Sequence, residues 1–299
     1  VITWYAVSGA IEQGLVYGMM SLGVFMTFRL LDFPDLTVDG SLPLGAAVGS
    51  VCLAQGMPPF LALIPAAFAG FLAGSVTGIL NTKFNILHLL ASILTMTALY
   101  SVNIRIMGGP NLPLLGLPFV FSPLIEMGIT PFLASPIVFG GFAMVAGALL
   151  FWFMQTETGQ ALIATGDNPK MIKSMGVNTH SMIILGVGLS NAMVAVSGAL
   201  IAQNQGAADV NMGVGTIVAG LASIVVGETL FGSRAGGSSV GRCVVAVVLG
   251  SVVYRLAIAF ALGIKVGEFS FQPSDLNLIT SILVVFALIL PQLQKRLRK

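Results

Sequence analysis

Charge is what this sequence has least of. Its 299 residues include thirteen Lys and Arg and eleven Asp and Glu, 8% together, where an ordinary soluble domain carries about 25%. A soluble fold of this size needs polar side chains to cover itself, yet 56% of these residues are hydrophobic. That excludes a soluble enzyme, a nucleic-acid binder and a disordered chain. Cysteine and histidine are nearly absent. Cys52 and Cys243 make no disulfide framework, and they are expected toward opposite membrane faces, roughly 20 Å or more apart at about 1.5 Å per helical residue. His88 and His180 are distant in sequence. With no HExxH and no Cys/His cluster, neither a metal site nor a Ser-His-Asp hydrolase is expected. There is no GxxxxGK[ST] loop, so ATP is not bound by that route. No basic stretch precedes the first apolar run, so no cleavable signal peptide is expected.

What the sequence does contain is apolar runs near twenty residues, the length of a membrane-spanning helix. A transmembrane β-barrel would instead alternate polar and apolar over about ten residues. The expected fold is an all-α, multi-pass membrane protein, one transmembrane domain over 1–299. Nine spans are predicted, at 8–28, 36–54, 58–80, 86–106, 132–154, 181–203, 210–228, 240–262 and 274–290. The second and seventh are short, Gly-rich and flanked by polar residues, which suits broken or re-entrant elements.

Lys and Arg set the orientation. Lys295, Arg296, Arg298, Lys299, Arg234, Arg242, Lys170, Lys173, Lys83 and Arg29 all fall on one side, which is therefore cytoplasmic. Only Arg105 and Lys265 fall opposite, with Arg255 inside the eighth span. This places the N-terminus outside and the C-terminus in the cytoplasm.

Two loops are long. Residues 108–131, outside, are rich in Pro and Gly and suit short interfacial helices. Residues 155–180, in the cytoplasm, are polar but patterned. Ala161, Leu162 and Ala164, then Met171, Ile172 and Met175, predict two short amphipathic helices around a Gly166-Asp167-Asn168-Pro169 turn. Asn168 is placed to cap the second helix, with Pro169 at its first position. The alternative is a solvated connector, although a flexible linker needs no such spacing. A weak internal echo sets Gly49-Ser50-Val51 against Gly250-Ser251-Val252, as in transporters built from repeats.

Polar groups inside a membrane are costly and point to function. Glu12, Asn103, Arg105, Gln203, Asn204, Gln205, Asp209, Arg255 and Asp275 gather by topology at the outer side, where they suit a vestibule for a polar solute. The alternative is that they sit at headgroup level, snorkelling or paired. Mid-span Ser190, Asn191, Thr95 and Thr97 suit helix–helix hydrogen bonds; Asn191 is also counted among the pathway residues. At the inner side, Arg29, Asp32, Asp35 and Asp39 cluster, and Glu228 lies near Arg234. Asp35, Asp39 and Glu228 are candidates for an inner gate, or are ordinary loop charges. Gly-rich runs such as GAAVGS and GFLAGSVTG permit close helix packing.

Four segments carry a family resemblance. They are GMMSLGVFMTFRLLDFPDLTVDGSLPLGAAVGS, with Asp35-Leu36-Thr37-Val38 between two Gly-rich spans; GQALIATGDNPKMIKSMGVN; LSNAMVAVSGALIA; and ASIVVGETLFGSRAGGSSVGR. Together, and in this order, they resemble the membrane permeases of ABC importers of the branched-chain amino acid and ribose type, across nearly the whole chain. FPDLTVDGS looks most like the branch for tryptophan or tyrosine uptake. One departure is an extra N-terminal span, present in many ribose-type members and not found here.

The resemblance implies a permease subunit of a binding-protein-dependent importer in the bacterial cytoplasmic membrane, carrying a small solute of the aromatic or branched-chain amino-acid type. ATP and Mg would belong to a separate ABC ATPase, leaving no cofactor on this chain. Gly159, Gly166, Asp167, Asn168, Lys170, Met171, Met175 and Gly176 would form the segment coupled to that ATPase. An extracytoplasmic binding protein would deliver the solute, and a second copy of the chain would complete the pathway. Membrane lipid is the surrounding partner, and nucleic acid is not expected. The competing readings are an ion-coupled secondary transporter, which needs acids near the midplane, and a passive facilitator, which needs no coupling segment.

Overall fold

The computed structural model describes residues 4–263 except 129 and 232–239, together with short pieces at 265–266, 269–270, 281–282 and 285. The principal helices are α1 (Trp4–Phe25), α2 (Val38–Ala54), α3 (Leu63–Phe84), α4 (His88–Met107), α5 (Ser122–Glu126), α6 (Pro131–Gln155), α7 (Glu157–Asp167), α8 (Pro169–Ser174), α9 (Thr179–Gln205), α10 (Thr216–Phe231) and α11 (Val240–Gly263). The strands are two-residue to three-residue pairs. β1 (Asn111–Pro113) pairs antiparallel with β2 (Ala207–Asp209), and β3 (Lys265–Val266) with β4 (Phe269–Ser270).

The chain is an all-α, multi-pass membrane protein. Among the described residues, five helices are long and apolar enough to cross a membrane: α3, α4, α6, α9 and α11. α2 and α10, the elements expected to be short, have 17 and 16 residues, about 25 Å at 1.5 Å per residue, against a hydrocarbon core of about 30 Å. The expected ninth span, 274–290, and Asp275 within it lie outside the described residues. The echo between Gly49 and Gly250 sets α1 against α10 and α2 against α11, so it does not relate the two short helices to each other.

α9 is the hub, and 61% of its apolar window is buried, the largest share of the five. It is surrounded by α1, α2 and α3. Glycines allow the approach. A methyl on Gly45 of α2 would fall 1.9 Å from the Ala195 carbonyl oxygen, and one on Gly74 of α3 would fall 2.4 Å from that of Val187. Gly70, Gly74 and Gly78 recur every four residues and so line one face of α3. Ser190 and Ser197 fasten α9 to α1 by donating to the carbonyls of Gly23 and Val16, at 2.7 and 2.8 Å.

One end of the bundle carries α7 and α8 (the hairpin end). The other carries the β1–β2 pair (the strand end), where Asn111 pairs with Asp209. In the 108–131 loop the structure places α5, the short helix expected there, and also β1, which no alternation in the sequence announced.

Candidate functional site

α1 does not run directly into α2. It continues as a π-helical turn over Met26–Leu30 and then as an irregular segment, with Asp32 at φ 51°. Burial alternates along that segment: Leu31, Phe33, Asp35 and Thr37 are buried, while Asp32 is exposed. The segment climbs beside α9 to the level of Asn191, near the middle of that helix. There Asp35 accepts from the Thr37 backbone N–H at 2.9 Å and from Asn191 Nδ2 at 2.7 Å. Ser41 Oγ donates to Asn191 Oδ1 at 2.6 Å, and Asn191 Nδ2 also donates to the Val187 carbonyl. Thr37 and Thr77 share a hydroxyl–hydroxyl bond of 2.8 Å. Every polar atom of the Asn191 amide is used, which is what a buried amide needs. Non-helical backbone is tolerated at membrane depth only where protein encloses it, and this network does so.

One turn further on, Asp39 caps α10. Its carboxylate accepts from Ile217 N at 2.9 Å, Gly215 N at 3.2 Å and Thr216 Oγ1 at 2.9 Å. The first turns of α2 and α10 therefore meet, joined by the Asp39 carboxylate. Pro43 helps, because it has no N–H to give the Asp39 carbonyl. Gly213 packs there, where a methyl would lie 2.0 Å from that oxygen.

The structure does not bring Asp35, Asp39 and Glu228 together. Asp39 sits at the start of α10, and Glu228 lies roughly 16 Å further along that helix at about 1.5 Å per residue. Glu228 pairs with Arg29, tying the π-helical turn to α10 at the hairpin end; Arg234 is outside the described residues. Each single charge reversal, Arg29→Glu or Glu228→Arg, is expected to lower stability by about 1 kcal/mol or less, since Arg29 is 44% exposed. The double reversal should recover most of that. Thermal unfolding of the four proteins in detergent checks this, and a double variant no better than its parents would dismiss the pair.

The other pathway candidates stand on several elements. Glu12 is half-buried on α1 within reach of the Asn204 amide. Arg255 lies on α11 with its guanidinium 3.7 Å from the centre of the Tyr17 ring, a cation–π contact. Gln203 is buried and accepts from Val120 N at 3.0 Å. Asn103 is buried and donates to the Gly40 carbonyl at 3.2 Å, while Arg105 is exposed at the end of α4. Sequence reasoning missed Thr37, Ser41, Thr77 and Thr216 as members of the central network. The Asp-x-Thr spacing of Asp35 and Thr37 signals a local side-chain turn, but only the tertiary fold delivers Asn191 and Thr216.

At the hairpin end, residues 155–180 fold as α7 and α8. Thr156 caps α7 by accepting from Gly159 N at 3.2 Å, and Asn168 caps α8 by accepting from Met171 N at 3.1 Å, with Pro169 in the first turn. Leu162 and Ile172 are buried, whereas Met171 and Met175 are 51% and 70% exposed. Lys170 is exposed beside them and Asp167 ends α7. The hairpin is seated rigidly. A methyl on Gly159 would lie 2.2 Å from the Phe153 carbonyl oxygen, and one on Gly166 2.2 Å from that of Leu30. Gly176 ends the segment at φ 89°, a conformation that favours glycine.

The site therefore belongs to a multi-pass membrane bundle in which two short helices meet at Asp39, beside the buried Asp35, and a hairpin is seated at one end. The chain belongs to the family described as branched-chain amino acid transport system / permease component, whose profile matches residues 6–290. It is 40% identical over 288 residues to the tyrosine transport system permease protein of Clostridioides difficile strain R20291, covering 96% of this chain and 92% of that protein. It is 27% identical over 164 residues to the autoinducer 2 import system permease protein LsrC of Yersinia pseudotuberculosis, covering 54% and 45%. Among solved structures, PsaBC from Streptococcus pneumoniae in complex with Fab superposes with a TM-score of 0.50 over 95% of this chain and 91% of that one. At 14% identity that likeness speaks for the fold alone. The chain is thus the non-catalytic permease component of an ABC importer, an integral membrane protein whose ATP hydrolysis takes place on a separate ATPase subunit.

Proposed function

We propose that this permease carries an aromatic or branched-chain amino acid, with tyrosine the first solute to test. The full-length similarity to a tyrosine transport permease supports that choice. In this reading each copy has nine spans, its N-terminus outside and its hairpin end in the cytoplasm. Two identical copies enclose the pathway, and an extracytoplasmic binding protein delivers the solute to the strand end. Glu12, Asn103, Arg105, Asn191, Gln203, Arg255 and Asp275 are the pathway candidates.

The observation that carries the mechanism is the α7–α8 hairpin. Two methionines point outward on a segment whose other face is locked onto the transmembrane helices. Methionine is an adaptable apolar contact for a partner protein. When the ATPase subunits close on ATP they move the hairpin. Its backbone seat on Leu30 passes that movement to α1 and, through Arg29 and Glu228, to α10. Transport then needs a bundle with two arrangements that the ATPase biases.

The test is purification with the ATPase subunit, followed by uptake of tyrosine, phenylalanine and leucine into proteoliposomes containing ATP and the binding protein. ATP-dependent uptake of one of them supports the reading; uptake without ATP by the chain alone would replace it with a secondary transporter or facilitator. Met175→Glu is expected to weaken ATPase capture by about thirty-fold, the loss of a contact worth about 2 kcal/mol. Unchanged capture would move the docking surface elsewhere.

A further inference from the structure

The outward faces of the long helices differ in kind. On α3 the exposed stripe is Ile64, Phe68, Leu72 and Val76, and on α6 it includes Leu133, Ile137, Met144, Val145 and Leu149. These are wholly apolar, as a lipid-facing surface should be. α4 is different. Its exposed face begins at the hairpin end with Leu90 and Leu94 and continues with Thr97, Ser101 and Arg105. The spacing of four puts the last three on one helical face. α4 has the lowest mean hydropathy of the five spanning helices, 1.4 against 1.8 to 2.3. Thr97 turns its hydroxyl back onto the carbonyls of Ile93 and Leu94, at 3.0 and 2.9 Å. Ser101 lies in the middle of the exposed face, and Arg105 near its strand end.

Hydrocarbon does not select for hydroxyls and a guanidinium on a helix face when the outward stripes of neighbouring helices offer it apolar side chains. Ionisable groups within spans face the bundle interior or a water-filled cavity, or reach the interface when they lie near a helix end. We infer that the Thr97–Ser101–Arg105 face of α4 is wetted and lines the solute pathway. Arg105 receives the carboxylate of the solute at the strand end, and Ser101 and Thr97 mark the route inward. The carboxylate assignment rests on the amino-acid reading above; the wetting of the face does not. A guanidinium suits the role because it presents fixed paired donors to a carboxylate.

Thiol labelling in native membrane vesicles separates the two statements. Cys52→Ser and Cys243→Ala remove the native thiols. Thr97→Cys and Ser101→Cys then report on this face, with Leu72→Cys and Leu149→Cys as lipid-facing comparisons. A charged, water-soluble methanethiosulfonate reacts with the thiolate, which forms in water and not in lipid. Ser101→Cys is expected to react at least about ten-fold faster than the Leu72 and Leu149 replacements. Equal rates would overturn the inference, whether or not transport can be measured. For Arg105, the Gln replacement should raise the KM for amino-acid uptake by about ten-fold or more, the loss of a charged hydrogen bond, and the Lys replacement should recover part of it. An unchanged KM would retire the carboxylate contact. Fast labelling of Ser101→Cys alongside no amino-acid uptake at all would retire the amino-acid reading and leave the wetted face standing.

Discussion

Replacing Asp39 with alanine is expected to destabilise the bundle by on the order of 2 kcal/mol. The carboxylate satisfies two backbone N–H groups and one hydroxyl at the start of α10. Without it the Thr216 hydroxyl keeps the Gly213 carbonyl and the exposed Gly215 N–H can turn to water, but the Ile217 N–H is left without a partner, at about 1–3 kcal/mol for a buried donor; a lost N-cap costs about 0.5–2 kcal/mol. Asp39→Asn keeps an acceptor and loses mainly the charge facing the helix dipole, a term of about 0.3–1 kcal/mol at exposed sites and up to about 2 when partly buried. The expected order of stability is therefore Asp39, then Asn, then Ala. Thermal or denaturant unfolding of the purified protein measures it. An alanine variant as stable as the parent would mean that the cap contributes nothing.

The second large effect is on coupling. Gly166→Val is expected to cut solute uptake by ten-fold or more while the assembled complex still hydrolyses ATP. Even a methyl at this position would sit 2.2 Å from the Leu30 carbonyl oxygen and 2.9 Å from the Leu31 Cα and carbonyl carbon. Those are backbone atoms, which cannot rotate aside as a side chain can, so α7 must lift from the end of α1. The face bearing Met171 and Met175 is untouched, so ATPase docking survives and only the transmitted movement is lost. A ten-fold loss corresponds to about 1.4 kcal/mol, small beside the overlap being relieved. Gly141→Ala is the control, because a methyl there meets nothing within 4 Å. The measurement is the ratio of solute imported to ATP hydrolysed. A normal ratio in Gly166→Val would show that the seat on Leu30 transmits nothing.

Much of the fold was legible because a membrane imposes simple rules. Helix length follows bilayer thickness, so the positions of α3, α4, α6, α9 and α11 could be read from apolar runs. The hairpin was legible because Asn168-Pro169 is a local start signal that needs no tertiary partner. The GFLAGSVTG spacing announced a face for close approach, though not that α9 would fill it. The central network was not legible. Asp35 looked like a loop charge beside Arg29 because hydropathy averages over a window, and a short irregular segment of alternating burial has no window of its own. Its partner Asn191 lies 156 residues away, and single-sequence patterning does not reach that far. Thr97 illustrates the opposite failure. It looked like a helix–helix contact, yet it lies exposed, because which side of a helix faces its neighbours is decided by the neighbours.

The span between Asp35 and Asn191 also bears on how the protein is made. The irregular stretch before α2 carries backbone and carboxylate groups that a bilayer rejects, and the amide that satisfies Asp35 is synthesised 156 residues later. At about 5–20 residues per second, that is a wait on the order of ten to thirty seconds. Until α9 leaves the ribosome, the early segment must be sheltered in the translocon or held by an insertase. Nascent chains stopped before Asn191 should therefore be quality-control substrates, and α9 is the helix whose arrival lets the first half of the molecule settle into lipid.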